Sequence, residues 1–517
     1  MTKGAIAAGH PATVAAAAEI LADGGNAFDA AAAAFATAAV VEPVLCSLGG
    51  GGFLLARKAG GEALVYDFFV QTPQTKRPTS EIDFFPIEVD FGTTRQGFHI
   101  GLGSIATPGA FLGLEAIAHE LGSLPLARLL EPATRWAREG VTLRRSDADL
   151  FRIVAPILLA RPEGRALFAP AGELLDVGDR LRQPELATAL EMLGSEGAAV
   201  LHGGALGETL IAASNADGGQ VTRADLESYR VIKRAPLAQR YRSATLLTNP
   251  PPSAGGILIA FALALLEGLP LRGPVESAAH RQVLMRAMEA TNRARVEAAL
   301  HEGLNEAQES AAAARLLDPA LVARYAAEVE GQPHNSRGTT HISVIDGAGN
   351  LASLTLSNGE GCGFLLPGTG IMMNNMLGEE DLSPLGFHRW PEDCRISSMM
   401  APTLLLQDSG AALALGSGGS NRLRTAILQV LINRFDLGLP LKRAVEEPRV
   451  HFERGVLGLE AMSSEPDAAL SERAERVELF PGLSVFFGGV HAVERRADGS
   501  FEAAGDPRRG GAVQLLG

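Results

Sequence analysis

Lysine and cysteine are scarce in this chain of 517 residues, and no run of basic residues offsets a net charge of −14. The lysines are Lys3, Lys58, Lys76, Lys233 and Lys442; every other basic side chain is arginine, a skew we read as codon bias. A chain so balanced presents no electrostatic footprint for nucleic acid or for an anionic membrane surface, and both drop out as partners. Cys46, Cys362 and Cys394 are odd in number, far apart and free of CxxC spacing, so neither a disulfide framework nor a thiolate metal site is indicated. A reducing compartment fits best. The eleven histidines show no HxxxH, HExxH or paired Cys/His spacing, which leaves metal catalysis without support; no metal and no cofactor are expected. The longest apolar stretch, Ala30 to Val41, is mostly alanine and is closed by Glu42-Pro43, too short and too weakly hydrophobic to cross a bilayer. With no signal-peptide pattern after Lys3, the expected location is the cytoplasm.

What is present describes a globular protein, 46% hydrophobic and 20% charged. Its length exceeds the size at which one core stops growing, which predicts two folding units or one extended layered domain; without repeats or a low-complexity linker, freely hinged domains are disfavoured. The first helix pattern, about Ala12 to Asp23, stops at Gly24-Gly25, and Asn26 caps a second that Pro43 ends. Alanine on both permits close approach to something flat, such as a sheet. Phe53 to Phe69 reads as two strands joined at Ala59-Gly60-Gly61. Helical patterns occupy about Pro108 to Leu121, Leu126 to Glu139, much of Pro184 to Leu226, and Glu276 to Tyr325. Ala244 to Thr248 is a short strand pattern, and Asn249 to Gly256, rich in proline and glycine, reads as irregular. After a polar loop, Glu330 to Gly338, His341–Ile345 and Leu351–Ser357 alternate around a turn, so Thr339 and Thr340 open a β-hairpin. A second strand pair is expected at about Pro402 to Gln407 and Ala411 to Gly416.

Three features could carry chemistry. Gly49-Gly50-Gly51-Gly52 is preceded by a helix and followed by a strand, the reverse of a phosphate-cradling loop, so it reads as a tight backbone crossing more readily than as a nucleotide site. His341, on a strand, reads as structural. Gly338-Thr339-Thr340-His341 stands where cutting would leave threonine as a new N-terminus. Its free α-amine, with an ordinary pKa of about 7.7 to 8.0, would serve as the base for its own hydroxyl.

Other segments strengthen that reading. Gly24-Gly25-Asn26-Ala27-Phe28-Asp29-Ala30, Leu48-Gly49-Gly50-Gly51-Gly52-Phe53, Thr107-Pro108-Gly109, Pro250-Pro251-Pro252-Ser253-Ala254-Gly255-Gly256 and Thr339-Thr340-His341 follow in order. So do Gly370-Ile371-Met372-Met373-Asn374-Asn375, Arg395-Ile396-Ser397-Ser398-Met399, Gly416-Ser417-Gly418-Gly419 and Asp506-Pro507-Arg508. The whole series resembles the gamma-glutamyltransferase (gamma-glutamyltranspeptidase) family of N-terminal-nucleophile hydrolases. The resemblance implies an α+β fold, a four-layer αββα sandwich made as a self-cleaving proenzyme. By position the cut is Gly338–Thr339, leaving a large fragment, 1–338, and a small one, 339–517, that stay packed as one structural domain. The Thr339 hydroxyl would attack the preceding carbonyl, shift the acyl group from nitrogen to oxygen, release it to water, and then attack substrate amides. Ser357 falls where the family has a second threonine supporting the nucleophile. Gly418 and Gly419 fall on the glycines whose N–H groups form the oxyanion hole, where losing one donor costs about 10²- to 10³-fold.

The substrate end departs from that pattern. Where the family binds a free α-carboxylate with the arginine of a D-F-R-E segment, this sequence has Asp67-Phe68-Phe69-Val70. Met376 replaces a Glu or Gln that meets the α-amino group, and Gly359 stands at a family asparagine with Asn358 adjacent. Glu379 can replace the family's aspartate, and Ser397 and Ser398 keep the hydroxyl pair that helps hold the carboxylate. These implications describe an amide hydrolase or acyltransferase whose acyl group need not be gamma-glutamyl, acting on a small-molecule amide. Three alternatives stay open: an arginine from elsewhere, such as Arg395 or Arg422, restoring the clamp; an acylase or amidohydrolase with no gamma-glutamyl preference; and a non-catalytic scaffold of the same fold. A homo-oligomer also stays open.

Overall fold

Small side chains decide how the first layer packs. Helix Ala27–Val41 carries nine alanines and is buried along its whole length, so its backbone approaches both helix Pro11–Ala22 and the sheet beneath. Asn26 caps it as the sequence predicts: its Oδ1 accepts from the N–H groups of Phe28 and Asp29, and Asp29 accepts from the N–H of Asn26 in return. Gly24, between the helices, takes φ +93°, open to glycine at no steric cost. The computed structural model describes residues 3–90, 95–267, 271, 274–275, 277–300, 306–328, 339–383, 386–419, 421–453, 455–461, 470 and 474–517. The expected loop Glu330 to Gly338, and with it Gly338 of the expected cut, lies outside the described residues.

Two antiparallel sheets face each other. The first has the spatial order Ala512–Leu516, Gly4–Ala8, Thr340–Asp346, Leu351–Ser357, Gly51–Arg57, Ala63–Asp67, Ile232–Arg234. The second runs Phe501–Ala504, Gly489–Arg495, Ala412–Gly418, Thr403–Gln407, Ala244–Thr248, Leu237–Tyr241. The two-residue period of a strand sends Ile342 and Val344 outward to the alanine-rich helices and turns His341 and Ser343 inward. Helices Ala254–Glu267 and Asn421–Phe435 cover the far side of the second sheet. The result is the αββα sandwich that the resemblance implies. Hydrogen bonds also join the sheets: Ser343 Oγ donates to the His491 carbonyl at 3.1 Å and Ser353 Oγ to that of Leu415 at 3.0 Å. Strands from both sides of position 339 are interleaved in the first sheet, and in the second Thr403–Gln407 pairs with Ala244–Thr248 across the same divide.

One expectation needs correction. Gly255 and Gly256 lie inside helix Ala254–Glu267. Their lack of a side chain serves close packing, because a methyl group on Gly255 would collide with the Met399 carbonyl. The second strand pair forms where expected, as Thr403–Gln407 and Ala412–Gly418, the latter running far enough to pair Gly418 with Gly489. The segment from Glu276 to Tyr325 divides into helices Ala278–Glu297, Glu306–Leu316 and Pro319–Glu328. Among the described residues, no helix is long and apolar enough to cross a membrane.

Candidate active site

Register places the site at one end of the first sheet. Thr340 pairs with Leu356, Ser357 with Gly51, and Phe53 with Asp67. Continuing each ladder by its own step sets Thr339, Ser357, Gly51 and Phe69 side by side across four strands. All four share the parity of His341, Thr355, Phe53 and Val65, the face turned toward the second sheet. At about 4.8 Å per strand, Phe69 lies roughly 14 Å from Thr339 along this row.

The glycine run is what lets the row close. A methyl group on Gly49, Gly50, Gly51 or Gly52 would collide with the carbonyl of Met372, Ser357, Phe68 or Thr355 respectively, so these residues form a backbone crossing and not a phosphate cradle. Asn374 ties the crossing down, its Nδ2 donating to the carbonyls of Gly49 at 2.8 Å and Ala106 at 2.9 Å.

Thr339 is buried. Gly418, from the second sheet, approaches so closely that any side chain there would overlap the Thr339 carbonyl; Gly419 follows at φ +119°. The same carbonyl accepts a hydrogen bond from Arg509 Nη1 at 3.1 Å. Ser357 accepts from the Gly359 N–H at 3.1 Å, which fixes the turn carrying Asn358. Thr340 points the other way, into the helical layer, where its hydroxyl donates to Glu42 Oε1 at 3.2 Å. Thr13 Oγ1 donates to the second Glu42 oxygen at 3.4 Å. Burial pushes the Glu42 carboxyl up from 4.5 to about 7, with Arg144 pulling it back. His341 is structural: wholly buried and held neutral by that burial, it bridges Thr355 Oγ1 at 2.8 Å and Ser343 Oγ at 3.0 Å beneath Gly416.

The substrate positions expected from the sequence sit around this row. The Asn358 side chain is fully buried, and neither of its amide atoms has a hydrogen-bond partner among the described residues. Glu379 and Asn375 crowd the empty side of Gly359, which holds φ +66°. Ser397 Oγ donates to the Pro252 carbonyl at 2.7 Å, whereas Ser398 Oγ accepts from the Met400 N–H at 3.0 Å and keeps its own proton to give. Phe69 is buried against Phe53, ring centroids 5.4 Å apart, and Met376 joins the same apolar cluster. Among the described residues no group of three His, Cys, Asp or Glu side chains is arranged to hold a metal.

With this geometry in place, similarity to known proteins decides the family. The gamma-glutamyltranspeptidase family model matches residues 13–516. The chain belongs to the gamma-glutamyltranspeptidase family. It is therefore an enzyme of the hydrolase and acyltransferase kind that this family comprises. The Acylase ACY 1 proenzyme of Pseudomonas sp. (strain SE83) is 33% identical over 521 residues, spanning 97% of this chain and 92% of the relative. The glutathione hydrolase proenzyme of Escherichia coli (strain K12) is 29% identical over 525 residues, spanning 95% and 88%. In fold, the chain is similar to cephalosporin acylase from Bacillus halodurans, with a TM-score of 0.86 at 23% identity over 99% of this chain and 96% of that one.

Both arginines considered as a replacement clamp already have partners within this gamma-glutamyltranspeptidase-family chain. The Arg395 guanidinium binds main chain, donating to the carbonyls of Phe69 and Arg230, stacks on Tyr229, and pairs with Asp67 at 3.6 Å. Arg422 is buried with its guanidinium 4.5 Å from the centre of the Phe486 ring. Sequence reasoning missed Glu42 and Arg509, which touch the Thr339–Thr340 pair. The signals were there: Glu42 ends the alanine helix with a lone charge, and Arg509 directly follows Asp506-Pro507-Arg508.

Proposed function

We propose that Thr339 is the nucleophile, freed by cutting at Gly338–Thr339, and that the enzyme hydrolyses or transfers acyl groups lacking the charged amino-acid headgroup of a gamma-glutamyl donor. The observation that carries this reading is the row Thr339–Ser357–Gly51–Phe69, with an aromatic ring buried where an arginine would be needed. In the reaction, the Thr339 amine takes the proton of its own hydroxyl, and the hydroxyl oxygen attacks the amide carbonyl. Main-chain N–H groups at Gly418 and Gly419 receive the developing oxyanion. The amine leaves with a proton, and water or an acceptor amine resolves the ester on Thr339. Ser357 supports the nucleophile from the neighbouring strand; Asn358, Glu379, Ser397 and Ser398 contact the acyl group beside Phe69 and Met376.

An unpartnered carboxylate beside Phe69 would lose about 2 to 5 kcal/mol relative to a bidentate clamp, a factor of about 30 to several thousand. The acylase relative from Pseudomonas is consistent with such a change of acyl group, while the glutathione hydrolase relative marks the alternative. Fragments 1–338 and 339–517 remain one structural domain after cutting, since their strands interleave in the first sheet and pair across the divide in the second. The decisive experiment joins N-terminal sequencing with a turnover screen. We expect a chain beginning Thr-Thr-His and faster turnover of simple acyl anilides than of gamma-glutamyl anilide. A sole N-terminus at the start of the chain would remove the nucleophile from the mechanism, and efficient saturable turnover of gamma-glutamyl anilide would overturn the specificity.

A further inference from the structure

Arg509 has no role in the mechanism above, yet it touches the proposed nucleophile. It ends the turn Pro507–Arg509, and its aliphatic stem lies along Gly489, where a side chain would meet it at 2.6 to 2.8 Å. This carries the guanidinium to the end of strand Ala412–Gly418. There Nη1 donates to the Thr339 carbonyl at 3.1 Å, and the two terminal nitrogens lie 3.2 and 3.5 Å from where side chains would begin on Gly418 and Gly419. Nε has no hydrogen-bond partner among the described residues, so the head group is held by its tip.

We propose that Arg509 is a positioning residue for the nucleophile, locking the main chain of residue 339 against Gly418 and Gly419 and keeping a positive charge beside the amine that cutting frees. The proposal rests on the reading of Thr339 as nucleophile. The amine and the carbonyl of one residue are joined through a single Cα, so the amine stands within about 7 Å of the guanidinium. A like charge at that range disfavours the ammonium form; at an effective dielectric of about 40, Coulomb's law lowers the amine's pKa by about one pH unit. The base is then free at lower pH. The Glu360, Asp506 and Glu42 carboxyls face Arg509 and oppose this effect, His491 lies within its influence, and Arg144 reaches the adjoining turn through the Gly510 carbonyl at 3.0 Å. Beside the guanidinium opens a cavity of about 440 Å³, lined by Glu42, Arg144, Phe151, Val485 and Arg509 itself.

That cavity makes chemical rescue a direct test. For Arg509→Gln in the processed enzyme we expect kcat to fall 10- to 100-fold with KM nearly unchanged, and the acid limb of kcat/KM to move up by 0.5 to 1 pH unit. Arg509→Lys, which keeps the charge and loses the fork, should keep the wild-type limb at reduced kcat. For Arg509→Ala, millimolar guanidinium should restore kcat and return the limb toward wild type while leaving Thr339→Ala inactive. If Arg509→Gln keeps the wild-type pH profile, if the loss falls on KM, or if guanidinium gives no rescue in a variant of unchanged Tm, the proposal fails. Should Arg509→Gln not fold, the Arg509→Lys profile and the rescue decide alone. Turnover by Thr339→Ala would instead overturn the underlying reading, whatever Arg509 does.

Discussion

Glu42 is a carboxyl that folding takes out of water, and the consequence is a stability that declines as pH rises. Its pKa moves from 4.5 in the unfolded chain to about 7 in the folded one, mainly through burial; Asp147 adds to the rise, whereas Arg144 and the Thr340 and Thr13 hydroxyls oppose it. Because the folded value is the higher, the folded state holds a proton that the unfolded state has released. The contribution is intact below pH 4.5, is lost between about pH 4.5 and 7, and stays lost above. At about 1.4 kcal/mol per pH unit, the gap amounts to roughly 3 kcal/mol. With an unfolding entropy of about 2 cal/mol/K per residue, a chain of this length shifts its Tm by about 1 °C per kcal/mol, so the effect is about 3 °C. Glu42→Gln, a neutral mimic of the protonated acid, should match wild type near pH 5 and melt about 2 to 3 °C higher at pH 8. Differential scanning fluorimetry of both proteins at the two pH values reads this difference directly. An equal Tm difference at both, or a variant that melts lower at pH 8, would refute the argument from burial.

Thr339→Ala should give one uncut, inactive chain on a denaturing gel, against two bands for wild type. Phe69→Arg should raise kcat/KM for gamma-glutamyl anilide at least 10-fold and lower it for simple acyl anilides, read from initial rates with both substrates. Gly418→Ala forces a methyl group onto the Thr339 carbonyl and should reduce both self-cutting and turnover at least 100-fold, whereas Gly97→Ala, with nothing within 4 Å, should match wild type. Asp506 is buried between Arg449 at 2.6 Å and Arg508 at 3.2 Å, which together hold its carboxyl below the usual range against the cost of burial. Asp506→Asn should therefore cost about 3 to 5 kcal/mol, a drop in Tm of about 3 to 5 °C, smaller at acid pH, where wild type loses the same charge.

Much of this arrangement was legible because its signals are local. The cap at Asn26, the break at Gly24-Gly25, the hairpin after Thr340 and helix Leu126–Glu139 all follow from capping, turn chemistry and periodicity within a few residues. The glycines at 255 and 256 misled for the opposite reason. Their spacing resembles a loop, but what requires glycine at 255 is the Met399 carbonyl, more than a hundred residues away in sequence, and at 256 the Asn249 carbonyl just before the helix. Glu42 and Arg509 carry only faint local signals for the same cause: each acquires its meaning from a partner, Thr340 or Thr339, that only the sheet brings near.

The row across the first sheet also explains why one end of the site keeps the family pattern while the other departs from it. At Gly418 and Gly51 the constraint is steric and falls on main chain, since any added side chain would overlap a carbonyl, that of Thr339 or of Phe68. Substitution there disrupts the sheet contacts themselves. At Phe69 the main chain is secured independently: its N–H donates to Asp67 at 3.1 Å, and its carbonyl accepts from Tyr229 and Arg395. The side chain is thereby free to change from a charged fork to an aromatic ring without moving the strand that carries it. Under the proposed function, a site built this way can alter its acyl group at the fourth strand and leave the proposed nucleophile at the first undisturbed, which is why the Phe69 and Thr339 variants should separate specificity from bond breaking.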